Sequence, residues 1–160
     1  MKFQSLLIAV ALVCLVGAGA YGQTQFLVGG NMGLSVGSAA GESDAGFHFG
    51  PMFEVIFQKN LAVGTELNIN TQAGTPVEWA DYFKYYFSIP ASKVRPYVDG
   101  GFSLWFVTGG PYFALRFGGG ANIPIAKNLY VAPDMQLGPI FATGSTVFYF
   151  AMRGGIRYEF

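Results

Sequence analysis

His48 is the only histidine in the sequence, so it is the first residue to consider for acid–base chemistry. A hydrolase would need it as a base between a Ser nucleophile and an acidic residue that orients the imidazole. Ser35 and Ser103 fall on the same face as His48 in the strand pattern described below, but no spacing links either serine to it. The residues therefore favour a packed or hydrogen-bonded histidine over a catalytic base.

Other candidate sites are weak. The Glu42-Ser43-Asp44 segment could offer carboxylate oxygens to calcium, but a solvated loop is the simpler interpretation. With one histidine and only Cys14 in the chain, a zinc site has no support. The glycines at 118–120 lie inside a predicted strand, so they relieve crowding and do not form a phosphate loop. We expect no catalytic residue, no metal and no cofactor.

The composition restricts the environment of the protein. The 160 residues suit one domain, at about 150 residues per domain. Nine basic residues balance nine acidic ones, and only 11% of residues are charged while 52% are apolar. This balance excludes nucleic-acid binding through a basic face. Soluble domains carry about 25% charged residues, so something other than water must cover part of this surface.

The amino-terminal segment has the layout of a secretory signal peptide. Lys2 precedes an unbroken apolar run over residues 6–16, and small residues then fit cleavage after Ala20 or Gly22. The run is shorter than the roughly 20 residues that a spanning helix needs. The sequence thus predicts a signal peptide over residues 1–22 and one domain over residues 23–160.

Beyond that segment, apolar residues alternate with small or polar ones, a period typical of β-strands. Each alternating segment is at least as long as the roughly 9–11 residues with which a tilted strand crosses a bilayer. The predicted strands are 25–37, 47–57, 61–71, 77–89, 95–107, 112–123, 129–141 and 146–160.

The spacing of three lysines supports a regular series of hairpins. Lys59, Lys93 and Lys127 stand 34 residues apart in turn regions, and Lys59 and Lys127 both begin a Lys-Asn-Leu motif. Helical repeats of that period are the rival, but two-residue alternation within each repeat argues against helices. We therefore predict an eight-stranded antiparallel meander.

Charges are confined almost entirely to one face of these strands. Asp81 alone among the strand charges falls at an apolar position; the eleven others share the small or polar face: Glu54, Glu66, Glu78, Lys84, Arg95, Asp99, Arg116, Asp134, Arg153, Arg157 and Glu159. A soluble barrel places its apolar face inside. Here the small residues between the charges suit a crowded lumen, and the nearly continuous apolar face suits lipid. The fold class predicted is an all-β, eight-stranded up-and-down transmembrane barrel.

A lumen of eight strands is just wide enough for its own side chains, so a diffusive pore is not expected. Unpaired charges would be costly there, which predicts a packed ion-pair network. A proton or ion path is the alternative. The predicted network joins the acidic residues Glu54, Glu66, Glu78, Asp99 and Asp134 to the basic residues Lys84, Arg116, Arg153 and Arg157.

Aromatic residues gather near the strand ends, as girdles at two membrane interfaces would. One predicted rim comprises Phe47, Phe49, Trp79, Phe106, Phe113 and Phe148, and the other Phe57, Phe87, Tyr158 and Phe160. Four prolines remove strand hydrogen-bond donors, and we expect bulges or strand ends at positions 51, 96, 133 and 139.

Over its whole mature length the sequence resembles the small outer-membrane β-barrel proteins, the group of OmpX-like barrels and OmpA-like transmembrane domains. The residues that carry the resemblance are the Arg95–Gly101 stretch, the Lys-Asn-Leu motifs and the end over 156–160. Tyr158 and the terminal Phe160 are similar to the signal that the barrel-assembly machinery reads in that family. The resemblance implies a Gram-negative outer-membrane location, with lipids and lipopolysaccharide as surroundings.

The resemblance also implies an orientation, with termini and short turns in the periplasm and the loops outside. The expected turns are 58–60, 90–94 and 124–128, and the expected loops are 38–46, 72–76, 108–111 and 142–145. All of these loops are short, so they offer little surface for binding a large protein partner.

The function expected is non-enzymatic and structural, in support of envelope integrity. A binding or adhesion role within an envelope or secretion complex is the alternative. A third candidate is a lipid A hydrolase, because outer-membrane lipid A deacylases are similar in size and fold. In those enzymes the histidine belongs to a His-x-Ser arrangement, whereas Phe49-Gly50 follows His48 here.

Overall fold

The structure, a computed structural model, describes residues 24–39, 42–107 and 110–160. The predicted signal peptide lies outside these residues. Eight antiparallel strands pair in chain order, and β1 pairs with β8 to close a barrel. The predicted fold class is therefore confirmed. The strands are β1 Gln25–Ala39, β2 Glu42–Phe57, β3 Leu61–Asn70, β4 Val77–Tyr86, β5 Arg95–Val107, β6 Gly110–Ala126, β7 Leu129–Ala142 and β8 Ser145–Glu159.

Two-residue alternation decides which side chains face outward. Along β8, Phe148 and Ile156 are 63% and 60% exposed, whereas Tyr149 and Arg157 are buried in the lumen. The same alternation runs round the barrel, so the outer wall is a nearly continuous apolar surface. Asp81 is the exception on that wall, where it pairs in register with Thr65 and Phe102. Among the described residues, no helix is long and apolar enough to cross a membrane.

The first hairpin differs from the expectation. A loop over 38–46 was predicted, but β1 continues to Ala39 and β2 begins at Glu42, so this prediction is wrong. The segment contains no apolar residue larger than alanine, so it lacks the alternation that would have revealed the strands. Pairing and a neighbouring loop hold it instead, since the Gln72 amide donates to the Asp44 carbonyl at 3.0 Å and the Ala73 N–H to the Asp44 carboxylate at 3.2 Å.

The lumen has three layers. We call the end with the short turns at 58–60 and 127–128 the turn end, and the opposite end the loop end. An apolar cluster closes each end and a polar layer lies between them. The turn-end cluster contains Leu27, Ile56, Ala62, Tyr86 and Tyr97. The loop-end cluster contains Trp105, Ala114, Ile140, Tyr149 and Ala151.

Three of the four prolines lie neither at a bulge nor at a strand end, contrary to the prediction. Pro51, Pro133 and Pro139 each interrupt pairing with one neighbouring strand, but the register is the same on both sides of each interruption. Only Pro96, the second residue of β5, lies at a strand end. The register shift between β6 and β7 falls between Pro124 and Ala126.

The absence of a side chain at Gly118 leaves room for the Gln136 amide in the polar layer. A Cβ at this position would overlap the side-chain amide of Gln136, and that amide is fixed because it donates to the Asp99 carboxylate at 3.1 and 3.2 Å. We expect Gly118→Ala to lower the free energy of unfolding by about 1–3 kcal/mol, since an overpacked interior must shift. Urea unfolding in detergent micelles measures this.

Gly154→Ala is the matched control for that substitution. Gly154 lies on β8 with nothing within 4 Å of an added Cβ, so its substitution should leave the midpoint nearly unchanged. Equal effects of the two substitutions would show that lumen crowding does not limit stability.

Candidate functional site in the barrel lumen

The inward positions of seven strands bring the predicted charges together in the polar layer. Eight of the nine are buried, and Asp99 is half-buried. We call this set the lumen charge network. Its members are Glu54, Glu66, Glu78, Lys84, Asp99, Arg116, Asp134, Arg153 and Arg157.

Arg153 is the centre of the network. Its Nε and Nη2 donate to the two carboxylate oxygens of Asp134 at 2.6 and 2.9 Å, a bidentate pair between adjacent strands. Its Nη1 donates to Glu66 Oε2 at 2.7 Å, which connects β8 to β3 across the lumen. Charge-assisted bonds of this geometry are among the strongest in proteins. One guanidinium therefore pairs with two buried carboxylates on different strands.

Glu66 is the second junction. Its Oε2 also accepts from Arg116 Nη2 at 3.1 Å, and its Oε1 accepts from the Asn31 amide at 3.1 Å. Both oxygens of this buried carboxylate are thus satisfied, and they contact groups from β1, β6 and β8. A buried charge needs such saturation to offset the loss of its hydration.

Glu54 organises a separate group nearer the turn end. Lys84 Nζ lies 2.5 Å from Glu54 Oε2, which also accepts from the Tyr82 hydroxyl at 3.1 Å. The Tyr86 hydroxyl donates to the other oxygen. The Lys84 ammonium lies 4.2 Å from the ring centre of Tyr97 and 4.8 Å from that of Tyr82, so aromatic faces add to its stabilisation.

Arg157 joins the two groups. It donates to Asn122 Oδ1 at 2.8 Å and to the Tyr97 hydroxyl at 2.9 Å, and it lies 3.4 Å from Asp134 Oδ2. The Tyr97 hydroxyl in turn donates to Asp134 at 3.1 Å. The cation is therefore held partly by neutral partners.

Two acidic members are connected less directly. Glu78 Oε1 lies 3.9 Å from Arg116 Nη1, and neither atom has a hydrogen-bond partner among the described residues. Asp99 makes no ion pair within the described part of the chain and is bridged to Arg116 through Gln136.

Neutral polar residues that sequence reasoning passed over complete the network. Alternation could have found them, because they occupy the same inward phase as the charges; the Tyr82-x-Lys84-x-Tyr86 pattern is an example. They carry no charge, so a pattern of charged residues alone does not single them out. These linking residues are Asn31, Asn68, Tyr82, Tyr86, Tyr97, Asn122 and Gln136.

The surroundings of His48 give no sign of a nucleophile–base pair. His48 is 3% exposed and borders a cavity of about 10 Å³, enough for one water molecule. Ser35 Oγ lies on the same cavity but donates to the Gly46 carbonyl or Asn70 Oδ1, each at 3.4 Å. The described residues contain no group of three His, Cys, Asp or Glu that could hold a metal ion.

The predicted assembly signal lies at the turn end of the outer wall. Tyr158 and Phe160 are exposed, and their ring centres are 5.0 Å apart in an edge-on arrangement. The Phe160 N–H donates to the Phe26 carbonyl at 2.9 Å, which extends the β8–β1 seam to the last residue. Recognition of these residues by assembly machinery stays a prediction.

Removal of one partner tests the network. We expect Glu66→Gln to lower the free energy of unfolding by about 3–5 kcal/mol, because it leaves Arg116 and Arg153 buried without a full counter-charge. Urea unfolding in micelles provides the measurement.

Glu159→Gln is the control for that variant, since Glu159 pairs with Arg95 at 3.8 Å in the more exposed turn-end mouth. This change should cost no more than about 1 kcal/mol. The network would have no special energetic role if the two variants unfolded at the same urea concentration.

Comparison with known proteins identifies the fold. No protein-family model and no curated protein matches the chain. Among solved structures, Neisserial surface protein A is similar at a TM-score of 0.73 and 16% identity, over 84% of this chain and 97% of that one. The N-terminal β-barrel domain of Pseudomonas aeruginosa OprF is similar at 0.62 and 11%, over 82% and 97%.

Ail, the attachment invasion locus protein of Yersinia pestis, is similar at a TM-score of 0.53 and 13% identity, over 85% of this chain and 99% of that one. At these identities the comparison shows the fold alone. The chain has the fold of the small eight-stranded transmembrane barrels of the outer membrane.

Proposed function

We propose that this protein is a non-enzymatic integral outer-membrane barrel whose role is structural, in support of envelope integrity. The observation that carries the proposal is the contrast between the outer and inner faces of the barrel wall. Apolar side chains cover the outside of all eight strands, and a paired, packed set of charges fills the inside. A closed barrel satisfies the backbone hydrogen bonds in lipid, and an outward apolar band is what the bilayer requires.

The filled lumen supports a structural role over a channel. The two apolar clusters close the polar layer from above and below, and the cavity beside His48 has room for about one water molecule. A conducting path would need a continuous series of water-accessible groups. The paired guanidinium groups of Arg116, Arg153 and Arg157 occupy that space instead.

The location and partners proposed follow from the same surface. We place the chain in the outer membrane after export by the signal peptide, in contact with lipids and lipopolysaccharide and without nucleic acid. Exposed aromatic residues at both rims, such as Phe148 and Tyr158, fit the two interfaces. The outer-membrane origin of the structural neighbours supports this location.

Fractionation and phenotype test the proposal together. The protein should appear in the outer-membrane fraction and migrate faster on a gel when unboiled. A deletion strain should become more permeable to detergents and large antibiotics, and the wild-type gene should restore the barrier. A soluble periplasmic protein without a gel shift would overturn the proposal.

A loop variant distinguishes the adhesion alternative from the structural role. The name of Ail refers to attachment, so a binding role is tested in a separate experiment. Thr75→Gly removes the only polar side chain of residues 73–75, while Gln72 keeps its bond to the first hairpin. A structural role predicts that this variant restores the barrier as well as wild type does. Loss of restoration together with loss of a co-purified partner would favour binding.

Measuring the mass of lipid A distinguishes the hydrolase alternative from the structural role. Expression of the protein should leave lipid A unchanged, and His48→Ala should make no difference. A mass change that depends on His48 would establish an enzyme and overturn the structural proposal.

The proposed assembly signal gives a further prediction. Phe160→Ala should lower the folded, heat-modifiable fraction in cells severalfold, because the terminal aromatic residue would no longer be recognised. Phe148→Ala is the matched control, since it removes a similarly exposed phenylalanine near the other end of β8. Similar losses from both variants would show a general effect of wall aromatics and no terminal signal.

A further inference from the structure

The loop end of the barrel opens into a cavity that the structural role does not use. We call it the outer vestibule; its volume is about 380 Å³, within the size range of small-molecule sites. Trp105, Tyr112 and Tyr149 contribute to its floor and side, and apolar residues of β7 and β8 line the wall. The two carboxylates of the first hairpin, Glu42 and Asp44, form its lip.

The lip is acidic and has spare acceptor capacity. Glu42 and Asp44 pair in register with Ala39 and Gly37, which are inward positions of β1, so both side chains lie on the inner face of the hairpin. One Asp44 oxygen accepts from the Ala73 N–H at 3.2 Å, and no ion pair to either carboxylate exists among the described residues. No lysine or arginine is among the described residues that line the vestibule.

The floor is aromatic and apolar. The rings of Trp105 and Tyr149 lie 5.5 Å apart at 60°, and the indole N–H is already satisfied by Ser103 Oγ at 3.0 Å. The floor therefore offers ring surface without a free indole donor. Ring faces attract both apolar groups and cations.

The floor also borders the small cavity beside His48, which Arg153 lines as well. The small cavity beside His48 shares Ser35, Trp105 and Tyr149 with the vestibule. On it lie His48 and Glu78, which are 3% and 5% exposed; His48 Nδ1 and Glu78 Oε1 have no hydrogen-bond partner in the described structure. Both atoms can accept a hydrogen bond, directly or through one water molecule.

We propose that the outer vestibule binds a small organic cation, an ammonium group on an aromatic or alkyl body. The body packs on the Trp105 and Tyr149 rings, and the ammonium group lies toward the carboxylates of Glu42 and Asp44. Carboxylates without basic neighbours select the charge, and the aromatic floor selects the organic body. This site is independent of the structural role proposed above.

The test uses the intact barrel in an uncharged maltoside detergent. Trp79 and Trp105 are the only tryptophans, so Trp79→Phe leaves the floor residue as the sole tryptophan. The probe is 2-phenylethylammonium, and 2-phenylethanol is its neutral analogue. We expect the cation to change Trp105 emission saturably and to bind at least about fivefold more tightly than the alcohol.

Charge variants locate the site. Glu42→Gln/Asp44→Asn should weaken binding of the cation by about fivefold or more and leave the alcohol unaffected. Asp81→Asn/Glu159→Gln is the matched control, because it removes two negative charges from the outer wall and the turn end. Its affinity should stay close to that of the parent protein. The unboiled gel shift verifies that each variant is folded.

Four outcomes would overturn the proposal. Absence of a saturable change would mean that the vestibule is not a site for this class. Equal affinity for the alcohol would mean an apolar cavity without charge selection. Equal weakening in the control variant would mean an effect of net charge. Displacement of the probe by calcium chloride at an equal concentration would mean a metal site at the lip.

Discussion

The guanidinium of Arg153, held between Asp134 and Glu66, is the interaction on which the rest of the interior depends. The lumen of an eight-stranded barrel is just wide enough for side chains, so the barrel's own residues must fill it. Once charges fill it, each needs a partner, because an uncompensated buried charge costs several kcal/mol. Arg153 meets this need for two carboxylates and ties β8 to strands beside it and across from it. The apolar clusters above and below exclude water, which strengthens these pairs and makes a missing partner more costly.

The same constraint explains why the chain carries so few charges. Outward positions face an apolar medium, so the wall excludes charge. A cation at an inward position must find an acidic residue within reach. The turns hold lysines, and the exposed lip holds Glu42 and Asp44. Asp81 is the departure from this rule. It lies on the outer wall between Thr65 and Phe102. The Thr65 hydroxyl beside it accepts from Trp79 Nε1 at 2.9 Å and donates to the Ala80 carbonyl at 3.2 Å, and neither bond involves the Asp81 carboxylate.

Alternation was enough to predict the strands, their faces and the closed fold, because a period of two directly reports which side of a sheet each residue occupies. It could not predict partners. The stagger between strands decides which inward residues share a level, and this stagger brings Glu66 to Arg153, 87 residues away in sequence. For the same reason Asp99 was expected to join a cation, yet it meets the Gln136 amide. The first hairpin escaped prediction because its pairing depends on backbone bonds and on Gln72, and neither leaves a hydrophobic pattern.

The aromatic floor separates two regions under different constraints. Below Trp105 and Tyr149, the stability of the fold constrains the type of each inward residue, because a change in size or charge disturbs a packed and paired layer. Above them, the strands of the first hairpin extend beyond the network, and their inward residues border open space. Chemistry can vary there without disturbing the ion pairs below. A barrel built in this way can therefore confine recognition of small molecules to its loop end, while the wall and the lumen keep the sequence that folding in a membrane demands.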